Sequence, residues 1–463
     1  MKLAVVATVF LMGASAWAQD APAASPDQSG GQAAQQPESS YGGPSLLSRG
    51  GAPSVLSRGD LAQLTPYVGV TGTYTSDLNA SGVDQQGNPV YQGAYGLSGM
   101  FGVTGAHIWP HSVLEVGYNG YYRDYSGYSQ YRGFDHSLNL SFEHQLSSRL
   151  TLVLTENFSR VRSQYSLPLG SLYGGAMEGY NPLYSALTAN SLSDTPTLAS
   201  VSGVRAVYQA TARWSVSASG TGIIARQHLT DTLGTNGWLA EGNVAYRLSR
   251  YQTISFDYSF AHFDYEGQFG QTDMHSGGMS YSLRLGRYWE LAASGGLSRV
   301  ESLRAVAVSL DPVLAELLGF TTVFAKENDV FNMPYGMANL TRTFRHANWS
   351  AHYSRSVVAG NTLYGTSNYE NAASNFSYTG LRRLSLDVGG AYYRYSALTQ
   401  SLGRYVGFGA SGGFGIPIAK GFSSIGRLDW RKYSVSGSSL DRNGYVATFG
   451  FSWNPGSAPL ALW

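Results

Sequence analysis

From about residue 66 onward, the chain alternates apolar and polar positions in segments of roughly a dozen residues. The clearest segment is 134–143, in which Phe134, Leu138, Leu140 and Phe142 share one face and polar side chains occupy the other. A period of two indicates a β-strand, because successive side chains point to opposite faces of the pleat. About nine to eleven tilted residues span a bilayer core, whereas globular strands average five or six. The pattern therefore predicts a transmembrane β-barrel, with one face toward lipid and the other toward a polar lumen.

The alternating segments come in pairs that are joined by very short turns, and the pairs are separated by longer polar loops. The predicted fold is all-β, an antiparallel up-and-down barrel of about 18 strands, with 16 as the alternative count. The segments are placed at 66–76, 94–108, 113–125, 133–146, 149–162, 200–212, 214–226, 237–248, 251–265, 272–285, 287–300, 331–344, 348–359, 367–379, 383–396, 403–418, 421–435 and 442–453.

The connections alternate in length, which predicts how the barrel is oriented. Long loops are expected at 77–92, 163–199 and 301–330, among others. Bacterial outer-membrane barrels have short periplasmic turns and long external loops, so every tight turn is predicted on the periplasmic side. Aromatic rings prefer the headgroup level. Six tryptophans near strand ends are therefore predicted to form a periplasmic girdle: Trp109, Trp214, Trp238, Trp289, Trp349 and Trp453.

The composition supports a barrel and argues against other classes. Only 13% of the 463 residues are charged, about half the usual fraction for soluble chains, and there are 57 Gly and 33 Tyr. A formal net charge of +1 argues against nucleic acid as a partner. Cysteine is absent, so no thiolate metal site or nucleophile exists. Histidines are scattered and no catalytic motif accompanies them, so we predict no enzyme activity, no catalytic residue, no metal and no cofactor.

The N-terminal region divides into two parts that precede the barrel at 65–463. Residues 1–18 have the basic start, short apolar core and Ala16-Trp17-Ala18 site of a cleaved signal peptide. Residues 19–64 are rich in Ala, Gln, Pro, Ser and Gly, which predicts a disordered periplasmic tail. Within it, PSLLSRG at 44–50 returns as PSVLSRG at 53–59. The repeat is either a motif for a periplasmic partner or the barrel mouth, or a duplicated linker without a role.

Polar residues on the predicted inner face are the candidate lumen lining. They are Glu115, Asn119, Arg123, Asp135, Asn139, Glu143, Glu241, Asn243, Arg247, Asp257, Asp387, Arg427, Asp429 and Arg431. The last three share one face of one strand, so they could line a constriction, grip sugar hydroxyls, or brace the wall as an internal salt-bridge network. Acidic and basic side chains occur in similar number, so no dominant electrostatic field is expected in the lumen.

Two further features have open interpretations. Tyrosines crowd two external strand ends, at 121–131 and 392–395. They could form a stacking track for a polysaccharide or an interfacial girdle. Asp311-Pro312 with apolar residues to Leu318 predicts a short helix in the 301–330 loop. That helix would narrow the lumen mouth or cap the neighbouring loops.

The final strand, 445–453, alternates aromatic and small residues and resembles the closing strand of outer-membrane barrels. In pattern, 66–463 resembles the outer-membrane porin-like proteins of Gram-negative bacteria, and is similar to β-barrel porins associated with exopolysaccharide secretion. The resemblance implies outer-membrane lipid and the barrel-assembly machinery as partners, and a secreted polysaccharide as a candidate partner. It implies no site residue. The expected function is a channel for hydrophilic solutes or a polysaccharide, and the alternative is a non-conducting surface barrel plugged by its loops.

Overall fold

One antiparallel sheet makes up the protein in the computed structural model, which describes residues 63–83, 89–161, 197–227, 234–265, 270–309, 321–359, 366–381, 383–398, 404–436, 441–454 and 458–459. The strands are β1 (Gln63–Val83), β2 (Pro89–Trp109), β3 (Ser112–Tyr125), β4 (Gly133–Ser147), β5 (Leu150–Val161), β6 (Thr197–Gln209), β7 (Trp214–Gln227), β8 (Thr235–Arg247), β9 (Gln252–Tyr265), β10 (Gln271–Leu285), β11 (Trp289–Ser309), β12 (Thr322–Thr343), β13 (Ala347–Ala359), β14 (Thr366–Leu381), β15 (Leu384–Ala397), β16 (Tyr405–Ala419), β17 (Phe422–Val435) and β18 (Asp441–Trp453). A 3-10 turn spans Ser129–Tyr131, and a two-residue strand, β19, spans Ala458–Pro459.

Each long strand pairs with its neighbours in sequence, and β1 pairs with β18 to close the barrel. The closing ladder runs from Val68 opposite Trp453 to Thr75 opposite Val446. Closure leaves no free sheet edge around the ring, which is the condition for a sheet to cross a bilayer. The predicted all-β, 18-stranded antiparallel barrel is confirmed. Within the described residues, no helix is long and apolar enough to cross a membrane.

The two faces of the sheet are identified by a contact that crosses the barrel. The Tyr265 hydroxyl on β9 lies 3.1 Å from Thr366 Oγ1 on β14, five strands away around the wall. Five strand spacings are about 24 Å, so these side chains meet only through the interior. The opposite face of the sheet carries large exposed apolar side chains, such as Leu97, Phe256 and Phe449. That belt is the lipid-facing surface of a transmembrane barrel.

Aromatic rings lying over glycines explain why both residue types are abundant. On the inner face, the Tyr335 ring covers Gly278 and Gly296, where an added Cβ would overlap the ring. Tyr67 covers Gly102 in the same way, and its hydroxyl bonds to Asn119. A diagonal aromatic side chain that fills the space above a strand glycine restores packing and pins the strand register.

Two expectations about the strand ends are wrong. Residues 301–330 are mostly strand, because β11 continues to Ser309 and β12 begins at Thr322. Residues 305–308 pair with 323–326, so the β11–β12 ladder extends well beyond the predicted end of β11 at residue 300. Trp238 lies near the start of β8, at the outer end of the barrel, where its ring is 5.0 Å from that of Phe260. The predicted helix at 311–318 lies outside the described residues.

Candidate functional site: the lumen and its inner hairpin

The strand pairings place every candidate lumen residue on the inner face. Paired residues in an antiparallel sheet share a face, so the ladders extend the assignment from Tyr265 around the whole ring. The inner-face set includes Glu115, Asn119, Arg123, Asp135, Asn139, Glu143, Glu241, Asn243, Arg247, Asp257, Asp387, Arg427, Asp429 and Arg431.

The periplasmic half of the lumen is open along β3 and β4. Glu115, Asn139 and Glu143 point inward and are nevertheless exposed to solvent. Glu115 pairs with Ser141, which is two residues from Glu143 on the same face, so the two carboxylates are diagonal neighbours. An exposed inner acid pair shows that space remains in front of this wall for water and solutes.

The outer half of the lumen is filled instead by apolar side chains from β6 to β11. This apolar wall consists of buried inner-face residues: Val201, Ile223, Leu239, Ala261, Phe263, Met274 and Val300. Their exposed fractions are 0–2%. A polar lumen does not bury such residues, so another part of the chain must cover them.

The cover is the outer end of the β13–β14 pair, here called the inner hairpin (residues 356–358 and 366–369). Val357 belongs to the same buried cluster as the apolar wall. Thr366 Oγ1 lies 2.6 Å from Thr272 Oγ1 and 3.1 Å from the Tyr265 hydroxyl. Ser356, Val357 and Val358 are buried in succession, so both faces of the hairpin are covered. The hairpin has therefore parted from β12 and leans across the lumen, while β14 stays paired with β15 as far as Ser367 opposite Ala397.

The other face of the inner hairpin packs on tyrosines of β14 to β17. Val358 clusters with Tyr369, Tyr395, Tyr405 and Tyr433. The ring centroids are 4.6 Å apart for Tyr369 and Tyr395, and 5.5 Å apart for Tyr405 and Tyr433. These rings are buried, so they pack the hairpin in place and are not a surface track for sugars in this conformation.

Pro334 marks the place where the hairpin separates from the wall. Pairing between β12 and β13 ends at Gly336 opposite Arg355, while β12 remains paired to β11 as far as Thr322. Continuation of that register would set Pro334 opposite Val357. Proline has no N–H to donate, so it is tolerated where a strand has a free edge. The separation leaves β13 free to lean inward.

Four of the inner charges neutralise one another in two pairs. Arg123 and Asp135 form a buried ion pair. Arg427 bonds to Asp429 through two contacts of 2.6 and 2.8 Å, an arrangement that favours wall bracing over a sugar-gripping ladder. Neighbouring Asp387 has both carboxylate oxygens buried without a hydrogen-bond partner.

Two further acidic side chains on the inner face accept hydrogen bonds from hydroxyl groups on other strands of the wall. Glu241 accepts a 3.0 Å hydrogen bond from Ser219, and Asp257 accepts one of 2.8 Å from Tyr335. Arg205 is the basic neighbour of Glu241. These groups lie on the same strands as the apolar wall, toward the periplasm.

Sequence reasoning missed the inner hairpin, although one signal was present. Residues 355–359 read Arg-Ser-Val-Val-Ala, and the adjacent valines break the alternation of apolar and polar positions. Two successive apolar side chains on a transmembrane strand require an apolar surrounding on the inner face as well as lipid on the outer face. The same pattern occurs at Ile223-Ile224 on β7, where Ile223 belongs to the apolar wall, so it marks a buried part of the lumen and not the inner hairpin itself.

The fold defines a transmembrane β-barrel with an obstructed polar lumen. No protein-family model matches the chain, and no curated protein matches it. Among solved structures, it is similar to OccK2 (OpdF) of Pseudomonas aeruginosa, solved with glucuronate, at 10% identity and a TM-score of 0.43, covering 86% of this chain and all of that one. A BenF-like porin from Pseudomonas fluorescens Pf-5 gives 10% identity and a TM-score of 0.42, with coverages of 86% and 100%. Because these identities and TM-scores are low, the assignment as a transmembrane β-barrel rests on the closed sheet and its two distinct faces.

Proposed function

We propose that this protein is an outer-membrane channel that passes small hydrophilic solutes through a lumen narrowed by the inner hairpin. The closed barrel and its apolar outer belt support the location, because bacterial barrels of this kind belong to the outer membrane. Eighteen strands enclose a lumen that wall side chains alone do not fill. What enters would be limited by the passage that remains beside the hairpin.

The observation that carries the proposal is the exposed acid pair of the periplasmic half. Glu115 and Glu143 remain solvent-accessible on the inner face. A barrel plugged at this level in front of β3 and β4 would bury these carboxylates, and burying a charge is expensive. The lumen in front of β3 and β4 is thus wet in its periplasmic half, below the inner hairpin.

Single-channel recording in planar bilayers tests the proposal. The full-length protein is expected to give stepwise ion currents, and a variant with 357–368 replaced by a short Gly-Ser turn is expected to give larger ones. Liposome swelling with sugars of graded size would show the same order, with larger sugars admitted only by the shortened variant. Silent bilayers for both proteins would refute a channel.

The alternative, a non-conducting surface barrel, is favoured by one observation. The inner hairpin is buried on both faces, as expected for a permanent plug. In that case the native protein would be silent and the shortened variant would conduct. A polysaccharide cargo, a periplasmic partner of the 44–59 repeat and recognition by the barrel-assembly machinery stay predictions, and the repeat lies outside the described residues.

A further inference from the structure

A single charged side chain lies within the middle of the lipid-facing belt. Glu156 on β5 pairs with Ser202 and Leu140, which places it on the outer face. It is six residues from the start of β5 at Leu150, or about 16 Å above the periplasmic turns for a tilted strand. Among the described outer-face residues four to seven positions from a periplasmic turn, no other is charged.

A carboxylate at this depth needs an explanation, because acyl chains offer it no hydrogen bond. Placing a charge on the lipid face destabilises a barrel most at mid-membrane. Ser200 and Ser202 both donate to Glu156 within the same chain, Ser200 at 2.7 Å. Two hydroxyls satisfy part of the capacity of a carboxylate, which has about four acceptor positions.

The surface beside Glu156 is a shallow depression on the outer wall. Its floor, here called the small-residue patch, consists of outer-face positions on β6 to β8: Ser202, Ala218, Gly220, Gly222, Ala240 and Gly242. A Cβ added at Gly222 or Gly242 would meet nothing within 4 Å. Larger side chains flank the floor, with Phe158 on β5 and Phe256 and Tyr258 on β9, all exposed.

We infer that a second copy of this chain covers the small-residue patch and that Glu156 bonds to Tyr258 of that copy. Barrels enter the membrane in one direction, so a two-fold axis between two copies runs along the membrane normal. An axis through β7 sets β5 of one copy against β9 of the other. Glu156, Gly220 and Tyr258 are each six residues from the periplasmic start of their strands, so they share one depth.

The chemistry of the two edges is complementary. Tyr258 is 55% exposed, and its hydroxyl is 2.8 Å from His275 Nδ1. When the His275 ring donates that hydrogen bond from Nδ1, the phenol proton is available to be donated to a carboxylate. Small residues at the centre allow two walls to approach closely, the feature that favours association within membranes. The result is a two-fold contact with a charge-assisted hydrogen bond at each edge.

Disulfide trapping tests this arrangement without background from native cysteines, because the chain contains none. Ala218, Gly220 and Gly222 would each be changed to Cys on the outer face of β7. The matched control is Gly390→Cys, which lies six residues from the start of β15 on the outer face. The two glycine sites are equally open, since an added Cβ would meet its nearest atom at 3.7 Å at Gly220 and 3.6 Å at Gly390.

Mild oxidation in native membranes should convert at least one β7 variant to a covalent dimer, while Gly390→Cys stays monomeric. Adding Glu156→Leu or Tyr258→Phe changes both copies and so removes the hydrogen bond at both edges, which should lower the trapping rate about a hundredfold, the equivalent of two charge-assisted hydrogen bonds. The two changes together should do no more than either alone, because both remove the same two hydrogen bonds. Heat-modifiable migration in gels would verify that each variant is folded.

Equal trapping at β7 and β15 would mean random collision and would overturn the inference. Trapping to a different protein, or none at any β7 position, would overturn it as well. If the barrel conducts as a monomer, the proposed channel function still holds although the proposed dimer does not. The two proposals can therefore be refuted separately.

Discussion

Changing Val357 to Ser should release the inner hairpin from the apolar wall. Val357 is 2% exposed and lies in the cluster that contains Phe263, Met274 and Val300. Serine removes most of the apolar side chain and places a hydroxyl against the apolar side chains of this cluster. The neighbouring threonine contacts at Thr366 remain, so the change addresses apolar docking alone.

The expected effect follows from the burial. Loss of a fully buried valine side chain costs about 2 kcal/mol, and an unpaired hydroxyl adds about 1–3 kcal/mol. A loss of about 3 kcal/mol or more raises the ratio of undocked to docked hairpin at least a hundredfold. A hairpin that is undocked one part in ten thousand in the native protein would then be undocked about one per cent of the time or more.

Single-channel recordings would measure this ratio as the time spent in a high-conductance state. The control is Val446→Ser, a buried inner-wall valine on β18 that is 6% exposed and pairs with Thr75 and Asp429. It should destabilise the barrel without changing the open fraction. Indistinguishable open fractions for the two variants would show that the apolar wall does not hold the hairpin.

Two other predictions concern packing and ion selectivity. Gly278→Val should destabilise the barrel by about 1–3 kcal/mol, because the new side chain would overlap the tyrosine ring above it; urea unfolding in vesicles would measure this. Gly277→Val on the outer face should cost little, since an added Cβ there meets nothing within 4 Å, and equal losses would refute the ring-over-glycine account. The double change Glu115→Gln and Glu143→Gln should shift the reversal potential in a salt gradient toward the value for an anion-selective pore, because it removes two negative charges from the lumen. Glu301→Gln on the outer face is the control, and an equal shift there would show that neither acid faces the ion path.

The strands were predictable because lipid on one side and water on the other impose an alternation on every strand. The segment at 134–143 shows it, and the observed β4 spans Gly133–Ser147. The face of the strand that each side chain occupies follows from the same rule, so Asp135 and Asn139 could be placed on one face without knowing any contact. Pairing partners also follow, since successive strands in an up-and-down barrel are neighbours.

The inner hairpin could not be predicted because its position depends on contacts between distant parts of the chain. Thr366 meets Thr272 and Tyr265, about a hundred residues earlier. Nothing local in 356–369 indicates which wall it packs against. Trp238 was misplaced for a simpler reason, because a tryptophan near a strand end has the same pattern at either interface.

The separation at Pro334 has a consequence for how such a protein can vary. The circumference of a barrel is set by its number of strands, and changing that number requires the insertion of a whole hairpin. Here the ladder between β12 and β13 ends close to one imino acid near the outer rim, and β13 and β14 tilt across the opening while β14 stays paired with β15. The bore can thus be adjusted by point substitutions while the ring of hydrogen bonds within the bilayer stays complete.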